Sequence, residues 1–139
     1  MLRFLMNILW LILGGLWMGL SWYLVGCLMV LTIIGIPWAK ACFVIGTFAL
    51  WPFGKDVVSR EFVTGRADIG TGLLGLLGNV IWILFGGLWL AIGHIVSAGL
   101  NFISIIGIPF GFQHLKLAAI CFMPIGKTVV ERRGSLLAG

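Results

Sequence analysis

The feature that most constrains this chain is a run of 36 residues, Phe4 to Ala39, that contains no Asp, Glu, Lys or Arg. About 20 apolar residues are enough for a helix to cross the hydrocarbon core of a bilayer. A second run, Ile69 to Ile92, also lacks these residues. Only 9% of the 139 residues are charged, whereas a soluble domain has about 25%. The sequence therefore predicts an all-α integral membrane protein.

An internal repeat is the second feature of the sequence. With an offset of 72 residues, residues 7–60 align without a gap on residues 79–132, and 18 of the 54 pairs are identical. The identical pairs include Asn, Trp, Gly, Pro and Lys, which a shared apolar composition alone would not align. The conserved segments include IIGIP, which begins at Ile33 and Ile105, and P-x-G-K-x-V-V, which begins at Pro52 and Pro124. The chain is therefore predicted to consist of two equivalent halves.

Each half has about 50 apolar residues, which is enough for two crossings of about 20 residues each. Ser, Gly and Asn predict a turn at residues 94–101, and the repeat places the matching turn near residues 21–29. The predicted transmembrane segments are 4–22, 30–52, 77–96 and 102–124. The predicted units are a first repeat with the start of the linker (1–60), the rest of a charged linker (61–76), and a second repeat with a basic tail (77–139).

The positions of Lys and Arg predict the orientation in the membrane. Seven of the nine basic residues flank the predicted segments on one common side, and the two predicted turns contain none. We therefore expect the termini and the linker to be cytoplasmic, with the two repeats inserted in parallel. The seven residues are Arg3, Lys55, Arg60, Arg66, Lys127, Arg132 and Arg133.

The repeated IIGIP, the GGLW that precedes it in each half, and the P-x-G-K-x-V-V that ends each half resemble the YccF family of bacterial inner-membrane proteins. The unit of this family is the inner membrane component domain, which commonly occurs twice in a chain. The resemblance covers nearly the whole sequence and implies a multi-pass protein of the bacterial inner membrane. It transfers no biochemical activity and no catalytic or binding residue to this chain.

IIGIP lies within the second predicted segment of each half, where Gly and Pro interrupt a helix. We therefore expect that helix to be broken at the Gly-x-Pro, with Pro37 and Pro109 beginning a new half-helix. Irregular backbone in a membrane must be covered by protein or water, and broken helices bind ions or substrates in transporters. The predicted pore-lining or ion-binding residues are Thr32, Gly35, Pro37, Lys40, Ser104, Gly107, Pro109, His114 and Lys116.

Lys40 and Lys116 are the two Lys residues inside predicted segments, and we expect no acidic residue to accompany them. Two cations beside two positive helix ends favour an anion or a lipid phosphate. Two alternatives remain. The segment after each Pro can lie at the membrane interface, with its Lys extended to the headgroups, or the Pro can simply kink a packed helix.

Two hypotheses for function follow. The first is an oligomeric ion channel that favours anions, with the IIGIP breaks along the path and Gly-rich faces that let copies associate. The second is a non-conducting membrane component that organises lipids or a partner protein. The sequence contains no catalytic grouping, so we expect no enzymatic activity, no cofactor, no metal site and no nucleic-acid binding. The expected partners are membrane lipids, further copies of the chain and inorganic ions.

Overall fold

The computed structural model describes residues 1–68 and 72–132, mostly as helix. The elements are α1 (Leu2–Leu31), α2 (Ile36–Leu50), β1 (Lys55–Ser59), α3 (Arg60–Thr64), α4 (Leu73–Ile103), α5 (Ile108–Ile120) and β2 (Lys127–Glu131). Residues 69–71 of the predicted linker and residues 133–139 of the predicted tail, including Arg133, lie outside the described residues.

Two helices, α1 and α4, are long and apolar enough to cross a membrane, with 30 and 31 residues. Within the described part of the chain they are the only ones that reach this length, because α2 has 15 residues and α5 has 13. Each long helix contains one wide π-helical turn, at Leu11–Gly15 in α1 and at Ile83–Gly87 in α4. Helix length therefore does not confirm four crossing segments.

In the first half, IIGIP forms the turn between two helices instead of a break within one. α1 ends at Leu31, and Ile33 adopts the left-handed backbone conformation with φ 62°. α2 begins at Ile36, so Pro37 lies in its first turn, as expected for a Pro that starts a helix. The second half turns in the same place between α4 and α5. The predicted break within a helix is therefore wrong.

The predicted turns at residues 21–29 and 94–101 are also wrong, because both ranges lie inside helices. Polar residues suggested the second turn, but the side-chain hydrogen bonds of Asn101 form within a continuous helix. The amide Nδ2 of Asn101 donates to the carbonyl of Ser97 one turn earlier, at 2.8 Å. The same amide donates to the carbonyl of Leu13 in α1, at 3.0 Å. Asn101 is thus satisfied within a helix by a partner in the other half.

β1 and β2 pair as an antiparallel ribbon with Val57 opposite Val129 at its centre. These two residues are 72 positions apart, so a pseudo-two-fold axis through the centre of the ribbon exchanges the two halves. Equivalent backbone hydrogen bonds close the two ends of the ribbon. The backbone N–H of Arg60 donates to the carbonyl of Gly126, and that of Arg132 to the carbonyl of Gly54, both at 2.8 Å.

Matching bonds also hold the helices of each half together. The indole N–H of Trp10 donates to the carbonyl of Ala49 at 2.6 Å. In the second half the indole N–H of Trp82 donates to the carbonyl of Cys121 at 2.7 Å. Both indoles are buried, with 0% and 1% of their surface exposed. These bonds attach the start of each long helix to the end of the following short helix.

The two long helices run antiparallel where they meet at the axis. Gly14 of α1 lies beside Ser97 of α4, and Val25 of α1 lies beside Gly86 of α4. Residue numbers therefore increase along α1 while they decrease along the neighbouring part of α4. The prediction of parallel repeats concerns the orientation of the two halves in the membrane, and this helix crossing does not test it. Two halves related in this way share one orientation in a membrane only if the axis follows the membrane normal. α1 and α4 are then steeply inclined to that normal.

The space between the helices is filled by large side chains. The rings of Trp22 and Trp82 stack across the halves with centroids 6.1 Å apart. Trp10 packs on the ring of His114 with centroids 4.2 Å apart. The outward faces of α1 and α4 are apolar and exposed along their whole length, as expected for a surface that lipid covers.

We predict that Asn7→Ala lowers the free energy of unfolding by about 1–3 kcal/mol, because it leaves buried polar backbone groups without partners. Asn7 is fully buried, accepts the N–H of Phe53 and donates to the carbonyls of Arg3 and Phe53, each at 3.0 Å. The measurement is thermal unfolding of the purified protein in detergent.

The control is Ser21→Ala, whose hydroxyl donates to the carbonyl of Trp17 in its own helix. Asn79→Ala, the equivalent change in the second half, should destabilise in the same direction, because Asn79 accepts the N–H of Ile125 at 3.2 Å. Equal melting temperatures for Asn7→Ala and Ser21→Ala would contradict the prediction.

Candidate functional site

Charge is confined to one face of the molecule, around the ribbon. All twelve Asp, Glu, Lys and Arg residues that the structure describes lie on the strands or at their ends, on α3 and the turn after it, or on side chains that reach these elements. We call this set the ribbon face. It consists of Arg3, Lys40, Lys55, Asp56, Arg60, Glu61, Arg66, Asp68, Lys116, Lys127, Glu131 and Arg132.

The P-x-G-K motif places the charges of the ribbon face. In the first half the N–H of Lys55 donates to the carbonyl of Pro52 at 3.1 Å, which closes a tight turn. Gly54 within this turn has φ 97°, a conformation that favours glycine, and its counterpart Gly126 has φ 82°. The Lys after each of these glycines begins a strand, so the motif ends each helical hairpin in a basic residue at the edge of the ribbon.

Asp56 is the centre of an ion-pair network on the ribbon face. Its carboxylate accepts hydrogen bonds from Lys116 Nζ at 2.5 Å and from Arg132 Nη2 at 2.9 Å. Burial raises the pKa of this carboxyl, but the hydrogen bonds from Lys116 and Arg132 and the charge of Lys116 outweigh burial, so the net pKa is lowered. Asp56 is therefore ionised and holds two cations in place.

The structure divides the nine predicted site residues among separate places. Six of them lie in the two helix-to-helix turns at the tips of the hairpins, where the neighbouring Ile side chains are 72–86% exposed. These six residues are Thr32, Gly35, Pro37, Ser104, Gly107 and Pro109. In the first tip, Thr32 Oγ1 donates to the carbonyl of Met29 at 2.7 Å and accepts the N–H of Gly35 at 3.0 Å. Both hydrogen bonds of the Thr32 hydroxyl therefore stabilise the turn.

The two predicted lysines lie on the ribbon face, and Pro37 lines the same cavity as Lys40. Lys40 borders a cavity with Arg60 and Lys127, at the base of the second half. Lys116 pairs with Asp56, so the expectation that no acidic residue accompanies the two lysines is wrong for Lys116. The reason is that the ribbon brings a strand of the first half against a helix of the second.

His114, the ninth predicted residue, lies in the core as part of a hydrogen-bonded chain. Trp22 Nε1 donates to His94 Nε2 at 3.0 Å, and the Nδ1 atoms of His94 and His114 are 3.1 Å apart. The indole can only donate, so a neutral His94 carries its proton on Nδ1 and donates to His114. His114 then carries its proton on Nε2, which faces the kink of α1 at Gly14.

The kink of α1 at Gly14 leaves room for the hydrogen-bonded side chains of Trp22, His94 and His114. Gly14 has φ 125°, and a Cβ on this residue would lie 3.2 Å from His114 Nε2. His114 Nε2 has no hydrogen-bond partner of good geometry within the described part of the chain. The arrangement joins the two halves through polar side chains in an apolar core, a role that the sequence did not reveal.

Asp56, Arg60 and Lys127 belong to the ion pairs and the cavity of the ribbon face and were not among the predicted site residues. The signal that could have found them is the repeat alignment itself. At the position of Asp56 the second half has Thr128, and a polar difference between otherwise matching segments marks a place where the two halves differ in chemistry.

Comparisons with known proteins bear on the whole chain. The model of a family described as the inner membrane component domain, YccF, matches residues 5–55 and again residues 77–127, an offset of 72 residues. The inner membrane proteins YccF of Escherichia coli (strain K12) and of Shigella flexneri are each 33% identical over 133 residues, which is 94% of this chain and 88% of the relative. No solved structure matches the chain.

We predict that the network around Asp56 stabilises the fold at neutral pH and ceases to do so in acid. In the unfolded chain the carboxyl has its ordinary pKa of 3.8, and in the folded chain the pKa is lower. The contribution is therefore fully present above the unfolded pKa and is lost as the pH falls through the folded pKa.

The measurement compares the melting temperatures of the wild type and Asp56→Asn over a pH series in detergent. The difference should be constant from neutral pH to about pH 5 and should shrink below about pH 4. A difference that grows as the pH falls would contradict this assignment of the network.

We further predict that Gly14→Ala destabilises the protein by about 1–3 kcal/mol, because it forces a side chain into the left-handed region against His114. Gly99→Ala is the matched control, since a Cβ at Gly99 meets nothing within 4 Å. It should be neutral or stabilising, because Ala is the better helix former. Thermal unfolding measures both, and equal destabilisation by the two changes would refute the prediction.

Proposed function

Because this chain belongs to the YccF family of bacterial inner membrane components, we propose that it is a non-conducting component of the inner membrane that organises anionic lipids at the cytoplasmic surface. The observation that carries this proposal is the confinement of charge to the ribbon face. Eight of the twelve described charges are basic, so the face has an excess of four positive charges.

Several cations of the ribbon face are available to lipids. Lys40, Lys55 and Lys127 have no carboxylate within ion-pair distance in the part of the chain that the structure describes. The cytoplasmic leaflet carries negative surface charge, and each Lys or Arg close to it gains about 1 kcal/mol of attraction. A face with this charge therefore concentrates anionic headgroups around the protein.

The orientation follows from the same charges. Lys and Arg are enriched on the cytoplasmic side of membrane proteins, which puts the ribbon face there. Arg3 at the start of α1 donates to the carbonyl of Arg132 at the end of β2, at 3.2 Å. This contact supports the placement of the N-terminal end of α1 and the end of the ribbon on the same, cytoplasmic side. α1 and α4 then lead away from that side into the bilayer.

The turns that end the two hairpins expose apolar side chains that suit lipid. Ile33 and Ile34 are 75% and 81% exposed, and Ile105 and Ile106 are 86% and 72% exposed. Neither tip contains a charged residue. Transfer of such side chains from water to hydrocarbon is favourable, which supports burial of the tips in the bilayer.

An anion channel has less support than this proposal. The IIGIP segments are at the lipid-exposed tips, and Trp10, Trp22 and Trp82 fill the interior where a path through one copy would run. A pore between copies would need an interface on the outer faces. Among the Gly residues that suggested one, Gly19 packs on Leu50 and Gly78 on Ile125 of the same chain.

A flux assay tests the absence of conduction. Purified protein is reconstituted into liposomes of mixed anionic and zwitterionic lipid, and chloride and potassium efflux are recorded with ion-selective electrodes. The expected flux is that of protein-free liposomes. Chloride efflux that rises with the amount of protein and changes in Lys40→Gln would overturn the proposal in favour of the channel hypothesis.

A lipid-preference assay tests the positive part of the proposal. Protein in mixed micelles is offered phosphatidylglycerol and phosphatidylethanolamine in equal amounts, and the lipids that copurify are quantified. We expect phosphatidylglycerol to be enriched, and the enrichment to fall when Lys40, Lys55 and Lys127 are changed together to Gln, because three positive charges then leave the ribbon face. Equal retention of the two lipids by the wild type would sink the proposal.

A further inference from the structure

Two cavities on the ribbon face are related by the pseudo-two-fold axis. The smaller, of about 100 Å³, is lined by Pro52, Phe53, Gly54, Lys55, Gln113, Lys116 and Arg132. The larger, of about 170 Å³, is lined by Pro124, Ile125, Gly126, Lys127, Ala41, Val44 and Arg60, with Pro37 and Lys40 in addition. The first seven residues of the larger cavity are the repeat equivalents of all seven in the smaller one, in the order given. The chain therefore contains the same cavity twice.

The smaller cavity carries its own anion at its rim. Asp56 sits on the strand beside it and accepts hydrogen bonds from two of its lining residues, Lys116 at 2.5 Å and Arg132 at 2.9 Å. The ammonium of Lys116 also lies over the ring of Phe48, with its nitrogen 6.0 Å from the centroid. We call this the closed cavity, because an internal carboxylate already pairs with two of its three cations, and Lys55 alone among them has no carboxylate at ion-pair distance in the described chain.

The larger cavity has no such carboxylate of its own. The position equivalent to Asp56 is Thr128, which carries no charge. Val44 and Ala41 replace the longer side chains of Lys116 and Gln113, which accounts for the larger volume. We call this the open cavity.

Cations line the open cavity although the counterpart of Asp56 is missing. Lys40 takes the role that Lys116 has in the closed cavity, from one helical turn earlier on α2. Arg60 is held by Asp68 through two bonds of 2.9 and 3.0 Å. Lys40 and Lys127 have no carboxylate within ion-pair distance among residues 1–68 and 72–132. The open cavity thus keeps two uncompensated ammonium groups.

We propose that the open cavity binds the phosphate of an anionic phospholipid, which takes the place that Asp56 has in the closed cavity. The ammonium groups of Lys40 and Lys127 bind the phosphate oxygens, and Arg60 stays with Asp68 at the rim. This inference rests on the proposed function, because it gives the lipid-organising face one defined site.

The surroundings of the open cavity favour a lipid over a free phosphate. An apolar groove of about 320 Å³ lies against the first turn of α2, the same turn that leads to Lys40. Trp38 borders this groove and its indole N–H donates to the carbonyl of Gly78 at 2.9 Å, which fixes the indole at the edge of the groove. The apolar lining of the groove, which includes Met29, Ile34 and Phe85, suits part of an acyl chain.

The test uses native mass spectrometry of the full chain in detergent titrated with phosphatidylglycerol. Lys127→Gln and Lys55→Gln are a matched pair, because the two lysines are repeat equivalents and lose the same charge. Lys127→Gln and Lys40→Gln should each weaken binding about fivefold, the effect of one lysine near an anionic lipid. Lys55→Gln should weaken it by less than about twofold. Equal effects of Lys127→Gln and Lys55→Gln would overturn the site.

Exchange of the residues that distinguish the two cavities gives a second readout. Thr128→Asp puts a carboxylate beside the open cavity and should abolish tight binding of phosphatidylglycerol. Asp56→Thr removes the internal anion and should add a second bound lipid per chain. Thermal unfolding of each variant verifies that it is folded. An unchanged number of bound lipids in folded Thr128→Asp would refute the assignment.

Competition with inorganic phosphate separates the two sources of phosphate. We expect inorganic phosphate at millimolar concentration to leave phosphatidylglycerol bound, because it has no acyl chain for the groove. Displacement of the lipid together with binding of free phosphate would overturn the lipid assignment. If the wild type prefers phosphatidylglycerol but Lys127→Gln and Lys55→Gln weaken its binding equally, the proposed site is refuted and the proposed function stands. If the wild type shows no preference, the proposed function fails.

Discussion

β1 and β2 exchange backbone hydrogen bonds over five residues each, about an axis between Val57 and Val129. A two-stranded ribbon alone is at best marginally stable in water. This ribbon is stable because the side chains of Val57 and Val129 pack on the helical core beneath it. The helices in turn depend on the ribbon, which links the base of one hairpin to the base of the other. The short strands thus fix the relation of two halves that share only a limited contact between α1 and α4.

A pseudo-two-fold axis brings equivalent positions of the two halves together, and the residues there differ for a physical reason. Trp22 meets its equivalent, His94, across the axis. Two tryptophans at this place would present two donors and no acceptor, since an indole N–H can only donate. His94 supplies the acceptor. Its second nitrogen then needs a partner, and His114 supplies it at the position where the first half has Cys42.

The same reasoning applies to the ribbon face. Asp56 and Thr128 are equivalent, and only one of them is charged. If both halves carried Asp, each cavity would have an internal carboxylate for its cations, and neither would keep two unpaired lysines for an anion from outside. Duplication therefore provided two copies of one arrangement, and divergence left one of them for the structure and the other for a ligand.

The sequence predicted the membrane class, the repeat, the family and the helix start at Pro37 correctly, because each of these depends on composition or on neighbouring residues. It misplaced the turns, because Asn101 is satisfied by the carbonyl of Leu13 in the other half and no local pattern shows this. It also left Lys116 without an acidic partner, because Asp56 lies 60 positions away along the chain. The errors share one cause, which is that contacts across the axis have no signature within a single half.

The confinement of charge to the ribbon face also bears on how the protein reaches its place in the membrane. A charged residue at the centre of a membrane helix costs about 2.5–3.5 kcal/mol during insertion. Within the described chain, the hairpin tips and the length of α1 beyond Arg3 and of α4 carry no formal charge. With the ribbon face cytoplasmic, the hairpins can enter the bilayer from that side while all described ionised groups stay behind. In that orientation, insertion of the hairpin tips and of the two long helices beyond Arg3 moves no formal charge of the described chain across the membrane.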